Sequence, residues 1–159
     1  MKKLLLIVLG FFLLFSFVAL PVFAQEKEKM VILSKGETID RDYFAAGDET
    51  QISGTINGDA YVAGGTVIVD GTVNGDLIAA GGNITVTGTV RNDIRVAGGN
   101  ITISGATVGG NITAIGGQIN IDAASTLTGS LVAAGGNIQI FAPIPREATI
   151  GGGTVLLAN

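Results

Sequence analysis

From residue 38 onward the chain alternates apolar and polar residues in short bursts, and the bursts repeat. Asn83-Ile84-Thr85-Val86-Thr87, Asn100-Ile101-Thr102-Ile103-Ser104, Gln118-Ile119-Asn120-Ile121-Asp122 and Asn137-Ile138-Gln139-Ile140 share one pattern. Strict period-two alternation with β-branched residues marks a strand buried on one face. The inward columns are Val67, Ile84, Ile101, Ile119, Ile138 and Val69, Val86, Ile103, Ile121, Ile140. A second, shorter strand turns one apolar residue inward per unit: Ile56, Val73, Val90, Val108, Leu127 and, in a last unit, Ile150. A third supplies two, in the columns Ala60, Leu77, Ile94, Ile112, Leu131 and Val62, Ala79, Val96, Ala114, Ala133. The residue between them runs Tyr61, Ile78, Arg95, Thr113, Val132, and because it admits arginine it faces outward.

The bursts keep time. The first glycine of a pair falls at Gly64, Gly81, Gly98, Gly116 and Gly135, steps of 17, 17, 18 and 19 residues, with Ala46-Gly47 one step earlier. A threonine nine residues ahead of each pair gives Thr38, Thr55, Thr72, Thr89, Thr107 and Thr126, with Thr149 opening a last unit. A fixed period of this length means one unit repeated by stacking. Three short strands and three corners in about 17 residues predict the rung of a parallel β-helix, or β-solenoid. About seven rungs at the ~4.8 Å strand spacing give a rod roughly 30 Å long. The glycine pairs mark one corner, through positive φ or through close backbone approach. Gly58 and Gly75 serve another, where Asn92 stands in as a residue tolerant of the left-handed region. Inward residues at steps of four, four, two, five and two do not fit the six-residue step of left-handed hexapeptide solenoids, so a right-handed coil is expected.

The first residues change the picture. Lys2 and Lys3 precede an apolar run from Leu4 to Leu20, and Val22 and Ala24 fit a signal-peptidase site. Residues 1–24 are read as a cleaved signal peptide, the alternative being a retained anchor, since the run approaches the ~20 residues that span a bilayer. Residues 25–37 form a charged cap or linker, and 38–159 form the solenoid. The chain is expected to be exported to the cell envelope, periplasm or extracellular surface. Without Lys2 and Lys3, seven basic residues face thirteen acidic ones, which argues against a nucleic-acid partner. The absence of Cys and His removes disulfides, thiolate chemistry and His-based proton shuttles or metal sites.

Candidate chemistry is sparse. Asp42, Asp59, Asp76 and Asp93, continued by Asn111 and Ser130, stack carboxylates at one corner, where Ca2+ is one conceivable ligand. The preferred reading is that each accepts backbone N–H groups in its own turn, with Arg41, Arg91 and Arg95 relieving the repulsion. Asn83, Asn100, Gln118 and Asn137 form an outward amide column suited to a hydrogen-bonded ladder. Asn83, Asn100 and Asn111 each open a glycosylation sequon that follows from the repeat itself. Thr85 and Thr102 start an ice-binding-like array, but Ile68, Asn120 and Gln139 interrupt it. Polysaccharide lyases and hydrolases on β-solenoids need long loops and aromatic platforms, and the turns here are short apart from the insertion Ala142 to Ala148. No residue is assigned to catalysis, a cofactor or a metal. The outward columns Tyr61, Ile78, Arg95, Thr113, Val132, Val155 and Ala63, Ala80, Ala97, Ile115, Ala134 form a face that grows apolar toward the C-terminus, suited to lateral packing. Both rod ends are open sheet edges, and the last unit stops at Ala158-Asn159, where the next glycine pair is due.

Residues 71–86, Gly-Thr-Val-Asn-Gly-Asp-Leu-Ile-Ala-Ala-Gly-Gly-Asn-Ile-Thr-Val, resemble the repeat of bactofilins, a polymer-forming cytoskeletal family, and the resemblance extends over about residues 38–159. It implies a compact right-handed β-helix that assembles end to end into non-polar filaments without nucleotide, often on a membrane. Bactofilins proper are cytoplasmic, so the secretion signal points instead to an exported relative. The expected function is that of a non-enzymatic structural protein. Its partner is itself, through end-to-end stacking, with a membrane or envelope protein beside it and neither a small-molecule substrate nor a cofactor. A surface adhesin or passive binding module displaying solenoid faces to a protein, glycan or membrane is the alternative, with a spacer in a larger assembly as a third.

Overall fold

The computed structural model describes residues 30–158, so the expected signal segment and the start of the charged segment lie outside the described residues. Two kinds of strand alternate along the chain. The long ones are β3 (Tyr43–Ile52), β5 (Ala60–Val69), β7 (Leu77–Val86), β9 (Ile94–Ile103), β11 (Ile112–Ile121), β13 (Leu131–Ile140) and β14 (Ala148–Leu157), with the four-residue β1 (Met30–Leu33) ahead of them. Between them lie two-residue strands: β2 (Thr38–Ile39), β4 (Thr55–Ile56), β6 (Thr72–Val73), β8 (Thr89–Val90), β10 (Thr107–Val108) and β12 (Thr126–Leu127). The long strands form an eight-stranded parallel sheet in the order β1-β3-β5-β7-β9-β11-β13-β14, and the short ones a six-stranded parallel sheet. This is a β-solenoid of about eight turns of some 17 residues, with no helix among the described residues. At ~4.8 Å per strand the main sheet is about 34 Å long.

The core is a stack of side-chain columns. Apart from Ile150, which is partly buried, every predicted inward position of the five columns is buried, from Ile56, Val67 and Val69 in one rung to Leu127, Ile138 and Ile140 near the far end. Parallel register places identical positions over one another, Ile84 on Ile101 and Val86 on Ile103. Each fully buried aliphatic side chain stabilises the coil by about 1.5–3 kcal/mol, which a single rung cannot convert into a fold but a stack can. Two polar residues are buried among the described residues: Thr50, in the Val67 column, donates its hydroxyl to the Ala63 carbonyl at 3.1 Å, and Ser125 donates its own to the Ile103 carbonyl at 3.2 Å.

Several expectations are corrected. Two of the three strands of a rung are one ten-residue strand bent at the glycine pair, because hydrogen bonding runs through the corner: Gly64 still pairs with Gly81. The rung count rises from seven because Met30–Leu33, expected in the cap, pairs with Glu49–Ile52 and buries Leu33. Positive φ is not the role of the glycine pairs. Only Gly36 and Gly105 have it among the described residues, and no non-glycine residue does, Asn92 included. A Cβ on Gly81 would instead lie 2.6 Å from the Gly64 carbonyl oxygen, so the corner requires close backbone approach.

The last unit is in a different register from the one expected. Thr149 pairs with Val132 and Ile150 with Ala133, so neither belongs to the threonine column or the short-strand column. Val155 pairs with Ile138, an inward position, rather than extending the outward Val132 column. Gly152, opposite Gly135, is the corner glycine, so the pair expected at Ala158-Asn159 falls earlier in the strand. The insertion after Ile140 accounts for this. It takes the place of a two-residue strand, with Ala142 buried and Ile144 against the core.

Candidate interaction surfaces

The carboxylate column forms one continuous ladder along a corner. Each residue accepts the backbone N–H of its counterpart in the next rung, not of its own turn. Asp59 N–H donates to Asp42 Oδ1 at 3.0 Å, Asp76 to Asp59 at 2.8 Å, Asp93 to Asp76 at 3.1 Å and Asn111 to Asp93 at 2.7 Å. Ser130 N–H closes the series on Asn111 Oδ1 at 2.9 Å. The glycines ahead of Asp59, Asp76 and Asn111 make room for this reach, since a Cβ on Gly58, Gly75 or Gly110 would overlap the carboxylate of the rung before. The second oxygens are satisfied differently. Arg95 clamps Asp76 and Asp93, each at 2.7 Å, whereas neither Arg41 nor Arg91 pairs with the column among the described residues. The hydrogen bond from Arg95 holds the Asp76 carboxyl below the usual carboxylate range. Tyr61 Oη donates to Asp59 Oδ2 at 3.4 Å. Among the described residues no group of His, Cys, Asp or Glu is placed to hold a metal ion.

The amide column is only partly a ladder. Asn100 donates to Asn83 at 2.8 Å, but Asn137 Oδ1 is buried without a partner. A second ladder went unnoticed in the sequence: Asn74 donates to Asn57 at 2.6 Å, and Asn57 to Asp40 at 2.5 Å. Its signal was present as one polar position repeated at 17 residues. Asp122, at the widest repeat, accepts hydrogen bonds from Ser104 Oγ, Gly105 N–H, Ala124 N–H and Ser125 Oγ. These donors, Ser104 first, lower its carboxyl pKa.

The outward face of the first half-strands carries Phe44 and Tyr61, stacked with ring centroids 4.7 Å apart and planes 5° from parallel, and further along the exposed Ile115 and Val132. The other half-strands show a polar, mostly uncharged face of Thr66, Asn83, Asn100 and Gln118.

The two ends differ. Among the described residues β14, at the C-terminal end, pairs with β13 alone, and of its inward residues Val155 is 42% and Leu157 55% exposed, where Ile138 and Ile140 one rung below are 0% and 2%. Ile140, Ala142, Ile144 and Leu157 line a depression there of about 180 Å³. Among the described residues, β1 pairs with Glu49–Ile52 of β3 at the N-terminal end. At that end Ile39, Arg41, Asp42, Tyr43 and Phe44 line a wider depression of about 590 Å³, and Phe44 is 72% exposed. No family model, curated protein or solved structure matches the chain.

Proposed function

We propose that this is a non-enzymatic structural protein of the cell envelope that joins end to end with copies of itself. The observation that carries the reading is the β14 edge: a ten-residue strand with a single neighbour, whose inward Val155 and Leu157 stand exposed in columns that are otherwise buried. Continuing the coil across that edge satisfies backbone N–H and C=O groups and removes two aliphatic side chains per copy from water. The resemblance of residues 71–86 to the bactofilin repeat supports the same reading, and the expected signal peptide is what assigns it to the envelope. The short turns of the repeat support a scaffold rather than an enzyme.

Negative-stain electron microscopy of the purified protein tests the proposal directly, with rods longer than about 34 Å expected. A species that stays monomeric at high concentration by analytical ultracentrifugation overturns it.

A further inference from the structure

Two asparagines of the chain precede a glycine, and they stand in nearly the same local sequence, Gly54-Thr55-Ile56-Asn57-Gly58-Asp59 and Gly71-Thr72-Val73-Asn74-Gly75-Asp76. In an Asn-Gly pair the backbone nitrogen reaches the side-chain amide carbon most readily, because glycine has no Cβ to hinder the approach. The corner imposes the pair: a Cβ on Gly58 or Gly75 would overlap the carboxylate of Asp42 or Asp59. The fold then treats the two sites differently. The Asp40 carboxylate is an acceptor, so Asn57 presents Nδ2 to it at 2.5 Å and turns Oδ1 toward Asn74, whose Nδ2 donates at 2.6 Å. The Asn57 carbonyl is thereby polarised by a donor, and a carboxylate touches its nitrogen. Among the described residues the Gly58 N–H has no hydrogen-bond partner. At Asn74 each of these points is reversed. Its Oδ1 is buried with no donor, its Nδ2 meets an amide oxygen instead of a carboxylate, and the Gly75 N–H is tied to the Gly58 carbonyl at 3.0 Å.

We infer that Asn57 is a self-modifying site, which closes a succinimide ring with Gly58 and converts to aspartate and isoaspartate, while Asn74 stays an asparagine in the folded protein. The Gly58 nitrogen forms a bond to Asn57 Cγ. Charge gathering on Oδ1 falls on the Asn74 Nδ2 donor, as in an oxyanion hole. Water carries the Gly58 proton away, and a proton relayed through the Asp40 carboxylate turns Nδ2 into the leaving ammonia as the Cγ–Nδ2 bond breaks. A second water opens the ring at either carbonyl, which leaves a carboxylate at position 57. Either product sets two like charges opposite each other where an N–H faced Asp40, so the tie between the rungs of β2 and β4 at this corner is lost. The corner lies several rungs from β14, so the inference does not rest on end-to-end assembly.

The test is peptide mapping by mass spectrometry of the purified protein after incubation in neutral buffer made with heavy-oxygen water, which follows both sites in one sample. Asn57 should convert about tenfold faster than Asn74 in the folded protein, because the hydrogen bond on the Gly75 N–H must break before that nitrogen can attack. In denaturant the two nearly identical sequences should convert at equal rates. Asn74→Val removes the donor to Asn57 Oδ1, and Asp40→Asn keeps an acceptor for Nδ2 while removing the carboxylate. Each should slow conversion at Asn57 about threefold with circular dichroism unchanged, the effect being limited because water replaces the lost group at this exposed position. Equal rates at the two sites of the folded protein overturn the inference, as do faster conversion at Asn74 and no conversion at Asn57. A preference for Asn57 that persists in denaturant, or an unchanged rate in both variants, overturns it too. The comparison of the two sites within the unaltered protein holds whether or not either variant folds.

Discussion

Most polar side chains at the corners act across rungs. Asp59, Asp76 and Asp93 each hold the backbone of the following rung, so a carboxylate does the work usually left to the peptide ladder where the chain turns and strand pairing lapses. Replacing Asp76 with Ala removes the acceptor for Asp93 N–H and half of the Arg95 clamp. A loss of about 1–2 kcal/mol is expected in chemical denaturation, modest because the site is partly solvated. The pH dependence follows from the lowered carboxyl pKa values of Asp76 and Asp122. A depressed folded-state pKa contributes stability that is present above the unfolded value near 3.8 and is lost as pH falls through the folded value. The destabilisation caused by Asp122→Asn should therefore be visible in thermal melts at neutral pH and shrink in acid below about pH 4. A penalty that grows on acidification contradicts the assignment. The acid column was legible from spacing alone. That its bonds run between rungs was not, because own-turn and next-rung acceptors have the same periodicity.

At the scale of the element, the glycine pair decides how a strand becomes two faces. Gly81→Ala places a methyl 2.6 Å from the Gly64 carbonyl oxygen, a backbone atom with no freedom to move, and should cost about 1–3 kcal/mol. Gly151→Ala, with nothing within 4 Å, should be close to neutral in the same denaturant titration. If both variants melt alike, close approach is not the reason for the glycines. Ile101, fully enclosed between Ile84 and Ile119, should cost about 2–5 kcal/mol when cut to Ala. The strands, their inward columns and the outward Arg95 column were readable because period-two alternation maps directly onto the two faces of a sheet. The last element was misaligned because the Ala142–Ala148 insertion replaces a short strand, and Thr149 resembles the repeat threonine by type alone. The better signal was Gly152, 17 residues after Gly135.

For the whole molecule, the inward residues of β14 stand exposed where those of the rung below are buried. If β14 is the joint, Val155→Lys or Leu157→Lys should abolish rods in electron microscopy, because both side chains belong to inward columns. Leu156→Lys should be the milder change, since Leu156 continues the outward Gln139 column. Equal effects at all three positions would point to charge rather than core continuity. The sequence by itself determined the period, the strand faces, the buried columns and the absence of Cys and His chemistry, because each of these is set within one repeat and survives without knowledge of its neighbours. Only the tertiary structure decided the register of the final rung and the addition of β1 to the sheet. Those depend on which rung lies beside which, and a repeat that looks the same at every turn does not encode its neighbours.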